Sequence, residues 1–243
     1  PEKMTVKFDM SPTKSKIHIK ADSLAPVLQK PEISFVRMPD LPSTNLKFSA
    51  EKVNINPAEI YAAAFIGDNI VSRNIFRIID SGVSPAIEVK FETSNESGLF
   101  HPKNLTIKGS LQTGTVNIPE TDLTARNVSG SAFMKDGTLD LEVAQGNVEN
   151  SGIYQGTVTV DLISGPEVPF TSRLSLNADL KKAPAALSRL IDNETFAGEM
   201  KRVTVSEGSA VVDLFLEKRP EKELTIEVTA KDIRLEGTYD RMP

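Results

Sequence analysis

The chain has 243 residues, of which 39% are hydrophobic and 25% are charged, with a net charge of −5 and no cysteine. This composition is typical of a folded globular chain and excludes the disordered, collagen-like and low-complexity classes, while the missing cysteine excludes disulfide scaffolds, thiolate metal sites and a cysteine nucleophile. The acidic balance, without a basic tract, argues against nucleic acid as a partner.

Both ends of the chain are abrupt, and the first residues carry no apolar segment of the kind found in a signal peptide. The uncharged stretch at residues 60–67 is far shorter than the roughly 18–20 residues that a membrane span needs. We therefore expect this sequence to be a piece of a longer chain, with any anchoring or targeting segment outside it.

The first hundred residues are rich in strand patterns and contain one helix signal. Asn56, Pro57 and Glu59 form a helix start, and apolar residues at helical spacing predict a helix over 57–79 that can divide near residues 67–69. Short alternating runs predict strands at 4–8, 16–20, 32–37, 46–55 and 86–93.

From residue 85 onward, strands recur at the spacing of a continuous antiparallel meander, giving about fifteen strands in all. Asp136-Gly137 and Glu207-Gly208 have the composition of hairpin turns. A second helix is predicted over 184–192. Alternation of apolar and polar residues predicts strands with one wet face at 104–108, 115–118, 138–144, 157–162, 173–180, 201–205 and 223–230.

A catalytic or metal site is not indicated. His18 and His101 are far apart in sequence and neither has metal-ligand spacing, and no nucleophile elbow or phosphate-binding loop occurs. Carboxylates such as Asp213 are expected on the solvent-exposed face of a strand, where they need no catalytic role. We therefore expect no enzymatic activity, no metal and no cofactor, and we expect replacement of these polar residues by alanine to leave any activity intact.

A long sheet with one apolar face must cover that face, and two short helices cannot cover so many strands. The sheet must either close as a β-sandwich or barrel, or curl into a groove whose apolar lining meets a ligand. The aliphatic lining, poor in aromatic residues, would suit acyl chains. The residues expected on this face are Leu139, Leu141, Val143, Val158, Val160, Leu162, Leu174, Leu176, Val212, Leu214, Leu224, Ile226 and Val228.

From residue 105 to the end, the order of strand and turn segments resembles the AsmA-like family of bacterial envelope proteins, the group that includes AsmA, YhdP and TamB. The clearest piece is LNADL (176–180) followed by PAALSRL (184–190), where a strand passes into a short helix. The other segments are LTIKGSL (105–111), GTVNI (114–118), LTARNVSG (123–130), KDGTLDL (135–141) and GTVTVDL (156–162). Residues 1–100 match this pattern poorly.

The resemblance implies a taco-like, curled antiparallel sheet with two short covering helices, in one β-rich domain over 1–243. It implies a non-enzymatic, bridge-like lipid-transfer protein, held in the periplasm by an inner-membrane anchor absent from this sequence. Its partners would be phospholipid acyl chains. The alternatives are a closed β-sandwich for the fold and, for the function, a ligand-free structural module of the envelope or a polysaccharide-binding protein. The lipid species, the direction of transport and the oligomeric state are not indicated.

Overall fold

A computed structural model describes residues 3–24, 26–38, 43–66, 69–94, 98–119, 121–164, 167–191 and 193–240. These residues form a 13-stranded antiparallel sheet that does not close into a barrel, together with four short α-helices. The strands are β1 Met4–Ser11, β2 Lys14–Ala21, β3 Ser23–Leu24, β4 Leu28–Met38, β5 Ser43–Asn54, β6 Ile79–Thr93, β7 Leu105–Asn117, β8 Thr124–Lys135, β9 Thr138–Val148, β10 Ser151–Asp161, β11 Phe170–Asp179, β12 Val203–Lys218 and β13 Thr225–Tyr239. The helices are α1 Ile55–Ile66, α2 Ile70–Ile78, α3 Ala183–Leu190 and α4 Glu194–Met200, and a 3-10 turn spans Pro102–Asn104.

The strands follow one another in the sheet almost in chain order. Each pairs antiparallel with the next, except that β2 pairs with β4 and the two-residue β3 lies off this path against β4. This confirms the predicted meander and extends it over the first hundred residues. Because β6 pairs with β7, one sheet continues from the first hundred residues into the segment from residue 105 onward, which carries the AsmA-like pattern.

The alternating sequence produces a sheet with one buried face. Along β11, residues alternate between buried and more exposed positions over the whole strand. Phe91, Val160 and Leu216, on three well-separated strands, are each 0% exposed. A single open sheet covered by a few short helices cannot bury side chains so completely, so the curling of the sheet must supply much of the cover. The predicted curled sheet is confirmed.

The first helix prediction is confirmed with a division into two helices. The helix expected at 57–79 becomes α1, which begins at Ile55, and α2. Part of the division, residues 67 and 68, lies outside the described residues. Asn69 caps α2, because its side-chain oxygen accepts a hydrogen bond from the backbone N–H of Ser72 at 2.9 Å.

The described residues contain four helices, because the first predicted helix is divided in two and a further helix follows the second. The helix expected at 184–192 is α3, but α4 follows it without having been predicted. Asn193 lies between these two helices. Its side-chain oxygen accepts from the backbone N–H of Phe196 at 2.9 Å, so it begins α4.

One of the two predicted hairpin turns is present. Asp136 and Gly137 join β8 to β9 with φ values of 53° and 83°. A two-residue type I′ hairpin turn requires positive φ at both of these positions. Glu207 and Gly208 instead lie inside β12, where the pairing with β13 shifts by a residue. The bulge lies at Ser206, whereas Gly208 pairs regularly with Leu235. A Cβ on Gly208 would lie 2.9 Å from the backbone oxygen of Arg234, so this glycine marks close backbone approach within a strand.

In the part of the chain that the structure describes, every helix is too short or too polar to span a membrane.

Candidate functional site

Strand register arranges the apolar residues in rows that cross the sheet. Residues directly opposite one another on neighbouring strands point to the same face, so a row of opposite residues is a continuous strip. The longest strip crosses ten strands from β1 to β11 and is apolar throughout. It consists of Val6, Ile19, Ile33, Phe48, Val89, Ile107, Met134, Leu139, Val160 and Phe170.

The register also places most of the thirteen predicted face residues opposite one another. Leu141 lies opposite Val158, and Leu174 lies opposite Leu214, which in turn lies opposite Val228. Leu162 follows the end of β10 and Leu224 precedes β13, so these two lie just outside the paired strands. The other predicted residues in paired strands are Leu139, Val143, Val160, Leu176, Val212 and Ile226.

Exposure varies strongly along this apolar face. Val160 and Leu162 are 0% exposed and belong to the main core, whereas Val228 near the β13 edge is 48% exposed. Leu141, Val143 and Ile226, like Val158, Leu214 and Leu224, are half-buried between these extremes. The face is therefore a closed core in its centre and opens toward the edge of the sheet.

Helix α2 covers part of the closed region. Its Val71 and Ile78 are 0% and 2% exposed. The side-chain amide of Asn74 donates a buried hydrogen bond of 3.0 Å to the backbone oxygen of Leu162, which follows β10. On the other side of the helix, the Asn117 amide on β7 donates to the backbone oxygen of Arg77 at 3.2 Å. These two hydrogen bonds hold α2 against the end of β10 and against β7, which are not neighbours in the sheet.

An apolar cavity of about 70 Å³ lies beside the C-terminal end of α2. Strands β6 to β11 all contribute to its wall, which a flat sheet could not enclose. Cavities with apolar walls tend to stay dry and to accept apolar groups. The lining includes Ile78, Leu111 and Val128 as well as five predicted face residues: Leu141, Val143, Val158, Val160 and Leu174.

Two glycines on the same face were not singled out from the sequence, although a glycine inside a strand signals close backbone approach. A Cβ on Gly130 would lie 2.0 Å from the backbone oxygen of Glu142, and one on Gly156 would lie 2.5 Å from Cδ2 of Leu174. Both residues lie opposite Val143, in one row of the apolar face. Their missing side chains allow the neighbouring strands and side chains to approach there.

The outer face carries polar residues with local partners. Asp213 accepts from the Ser175 hydroxyl at 2.7 Å, and Asp140 accepts from the Thr159 hydroxyl at 2.8 Å. His18 Nε2 lies 2.7 Å from a carboxylate oxygen of Glu32, and this contact accounts for the histidine. The described residues include no cluster of three or more potential metal-ligating side chains.

Ion pairs on the outer face shift the pKa of two carboxyl groups. A hydrogen bond from Lys20 is the main cause that lowers the pKa of Glu32 below its ordinary value of 4.5. A hydrogen bond from Lys47 likewise lowers the pKa of Glu88, with a further contribution from Lys90 at 3.2 Å. Because both pKa values are lowered by folding, the ionised carboxylates favour the folded state.

We expect the Glu88 contribution to be lost on acidification. It is fully present above the ordinary pKa of about 4.5 and disappears as the pH falls through the lowered folded pKa. Glu88→Gln should reduce stability at neutral pH by about 0.5 kcal/mol and should lose less stability than the parent on going to about pH 3. Urea unfolding at both pH values measures this, with the exposed Glu223→Gln as a control. Parallel acid dependence in the parent and Glu88→Gln would contradict the assignment.

No protein-family model, curated protein or solved structure matches the chain. The likeness to AsmA-like proteins therefore stays a prediction from the order of the sequence segments.

Proposed function

We propose that the chain is a non-enzymatic β-groove protein that binds or conducts phospholipid by its acyl chains. The observation that carries this proposal is the apolar face, which continues across the sheet and grades from a closed core into half-buried and exposed positions. Aliphatic residues that continue from the core onto an open edge leave apolar surface in contact with water, which is unfavourable. An acyl chain laid along such a face would cover them.

The cavity beside α2 supports the same proposal. Its wall consists mostly of aliphatic side chains, so it offers an apolar group few hydrogen-bonding partners. Its volume of about 70 Å³ accommodates only part of an acyl chain. The remainder would extend along the half-buried residues of β9 to β13. We propose that this groove works in the periplasm, in association with the inner membrane.

A ligand-free structural module is the second candidate, and a specific observation favours it. Val160, Leu162 and Leu216 are completely buried by residues of the chain itself. A sheet that curls enough to exclude water from its own centre can be stable as a scaffold. The two functions differ in whether the half-buried part of the face is occupied.

Lipid extraction and mass spectrometry on the chain purified from bacterial envelope without detergent test the proposal. We expect phospholipid to co-purify with the parent, and Val143→Asp to lose it, because a carboxylate beside acyl chains loses solvation worth several kcal/mol. Ala144→Asp is the matched control, since it places the same charge on the next residue of β9, which is exposed.

Ile226→Asp, at a half-buried position on β13, serves as a second variant in case Val143→Asp does not fold. Near-native melting with loss of lipid in either variant supports the groove. A parent that carries no lipid, or a folded Val143→Asp that carries as much as Ala144→Asp, would refute the groove and favour the scaffold.

A further inference from the structure

Strand β1 forms one end of the sheet and is exposed along its whole length. Among the described residues, no strand pairs with its outer edge, so its backbone N–H and C=O groups on that side have no β partner. Unpaired edges of this kind readily pair with another strand. The apolar side chains that continue the inner face here are Met4, Val6, Phe8 and Met10, which are 59%, 40%, 67% and 75% exposed.

The opposite end of the sheet is built differently. The pairing of β13 with β12 shifts at two places, and Asp232 has a φ of 52°. Bulges of this kind twist an edge and hinder the addition of another strand. β1 pairs with β2 through eight consecutive residue pairs without a shift. Of the two ends, β1 is therefore the one suited to accept a further strand.

We propose that two copies of the chain associate through β1, paired antiparallel about a two-fold axis with Phe8 opposite Phe8 of the second copy. In this register, Lys7 of each copy lies opposite Asp9 of the other, so the pair forms twice. Val6 lies opposite Met10 on the inner face. The strand is thus complementary to itself in both charge and apolar pattern.

Neighbouring registers lack this complementarity. A shift by two residues in one direction brings Lys7 opposite Lys7, and a shift in the other direction brings Asp9 opposite Asp9, and like charges directly opposite are destabilising. A shift by one residue places Lys7 opposite Phe8 and joins the polar face of one copy to the apolar face of the other. The sequence of β1 therefore selects one register.

The proposed interface is small and limits the assembly to a dimer. Eight residues from each copy make few contacts, so we expect a concentration-dependent equilibrium between monomer and dimer. Because both copies use the same edge, the assembly ends at two and does not grow into a filament. The inner faces of the two sheets would form one surface, whether or not that surface binds lipid.

Cysteine cross-linking tests the register directly, because the chain has no cysteine of its own. Phe8→Cys would place two thiols opposite each other, at the separation of about 5.5 Å that a disulfide spans. Thr5→Cys is the control on the same strand, since its two copies would lie about 20 Å apart in this register. We expect mild oxidation to cross-link Phe8→Cys and to leave Thr5→Cys largely unlinked.

A charge exchange tests the ion pairs. Lys7→Glu should raise the dimer dissociation constant about tenfold or more in analytical ultracentrifugation, because it turns two attractive pairs into repulsive ones. Adding Asp9→Lys to this variant should restore the parent value. A parent that stays monomeric at all concentrations, equal cross-linking of the two cysteine variants, a Lys7→Glu variant that dimerises normally, or assembly beyond a dimer would each overturn the proposal.

Discussion

Val160→Asp is expected to destabilise the fold by about 3–5 kcal/mol, because it places an unpaired carboxylate in the closed centre of the apolar face. Val160 is 0% exposed, lies opposite Leu139 and Phe170, and borders the cavity. The two residues paired directly with it are apolar and cannot compensate the charge. Thermal melting followed by circular dichroism should show a fall in Tm of about 10 °C or more.

Val228→Asp is the matched control for this prediction. It makes the same change on the same face, at a position that is 48% exposed near the edge of the sheet. Water reaches a carboxylate there, so its melting temperature should stay close to that of the parent. If both variants melted alike, the gradient from closed core to open edge would be wrong. A large loss only in Val160→Asp would support it.

Gly130→Ala is expected to cost about 3 kcal/mol, although it adds a single methyl group. The new Cβ would lie 2.0 Å from the backbone oxygen of Glu142, and that atom belongs to the strand paired with β8. Backbone atoms cannot yield as the end of a flexible side chain can, so β8 and β9 would have to separate. The cost combines overpacking with weakened hydrogen bonds between the two strands.

Gly109→Ala provides the control for Gly130→Ala. Gly109 lies in β7 on the same face of the sheet, and the nearest atoms to an added Cβ there are 3.6 Å away, an ordinary contact. We expect its unfolding free energy to change by less than about 1 kcal/mol. Urea unfolding of both variants measures the difference. Equal losses would mean that the cost arises from the shared β conformation and not from the close contact at Gly130.

Local sequence patterns were sufficient to predict most strands and their antiparallel order, but not every boundary, whereas the curled sheet was expected from the family resemblance. The alternation in residues 173–180 matches β11 closely, and Asp136-Gly137 forms the predicted turn, because both depend on interactions between near neighbours. The interior glycine of β12 was misread as a turn. A Glu-Gly pair suits a hairpin turn or the interior of a strand with close backbone approach, and the choice depends on how β13 pairs with it.

Exposure along the apolar face could not be predicted from alternation. Val160 and Val228 both occupy alternating positions in regular strands, yet one is fully buried and the other is half exposed. The two differ because segments distant in sequence cover Val160. One of these is α2, where the Asn74 side chain donates a hydrogen bond to the backbone oxygen of Leu162, 88 residues further along the chain. The same long-range placement explains why the cavity beside α2 had no sequence signal.

The near-perfect match between chain order and strand order has a kinetic consequence. Most neighbouring strands are joined by short connections and can form hairpins on the microsecond scale, whereas β5–β6 and β11–β12 are joined through the helices α1–α2 and α3–α4. Folding can then advance strand by strand from any starting hairpin, as it does in repeat proteins. The docking of α2 against the strand end at Leu162, across 88 residues, closes a longer loop than any pairing of neighbouring strands, so this contact is expected to form late and to be among the first that open in hydrogen exchange.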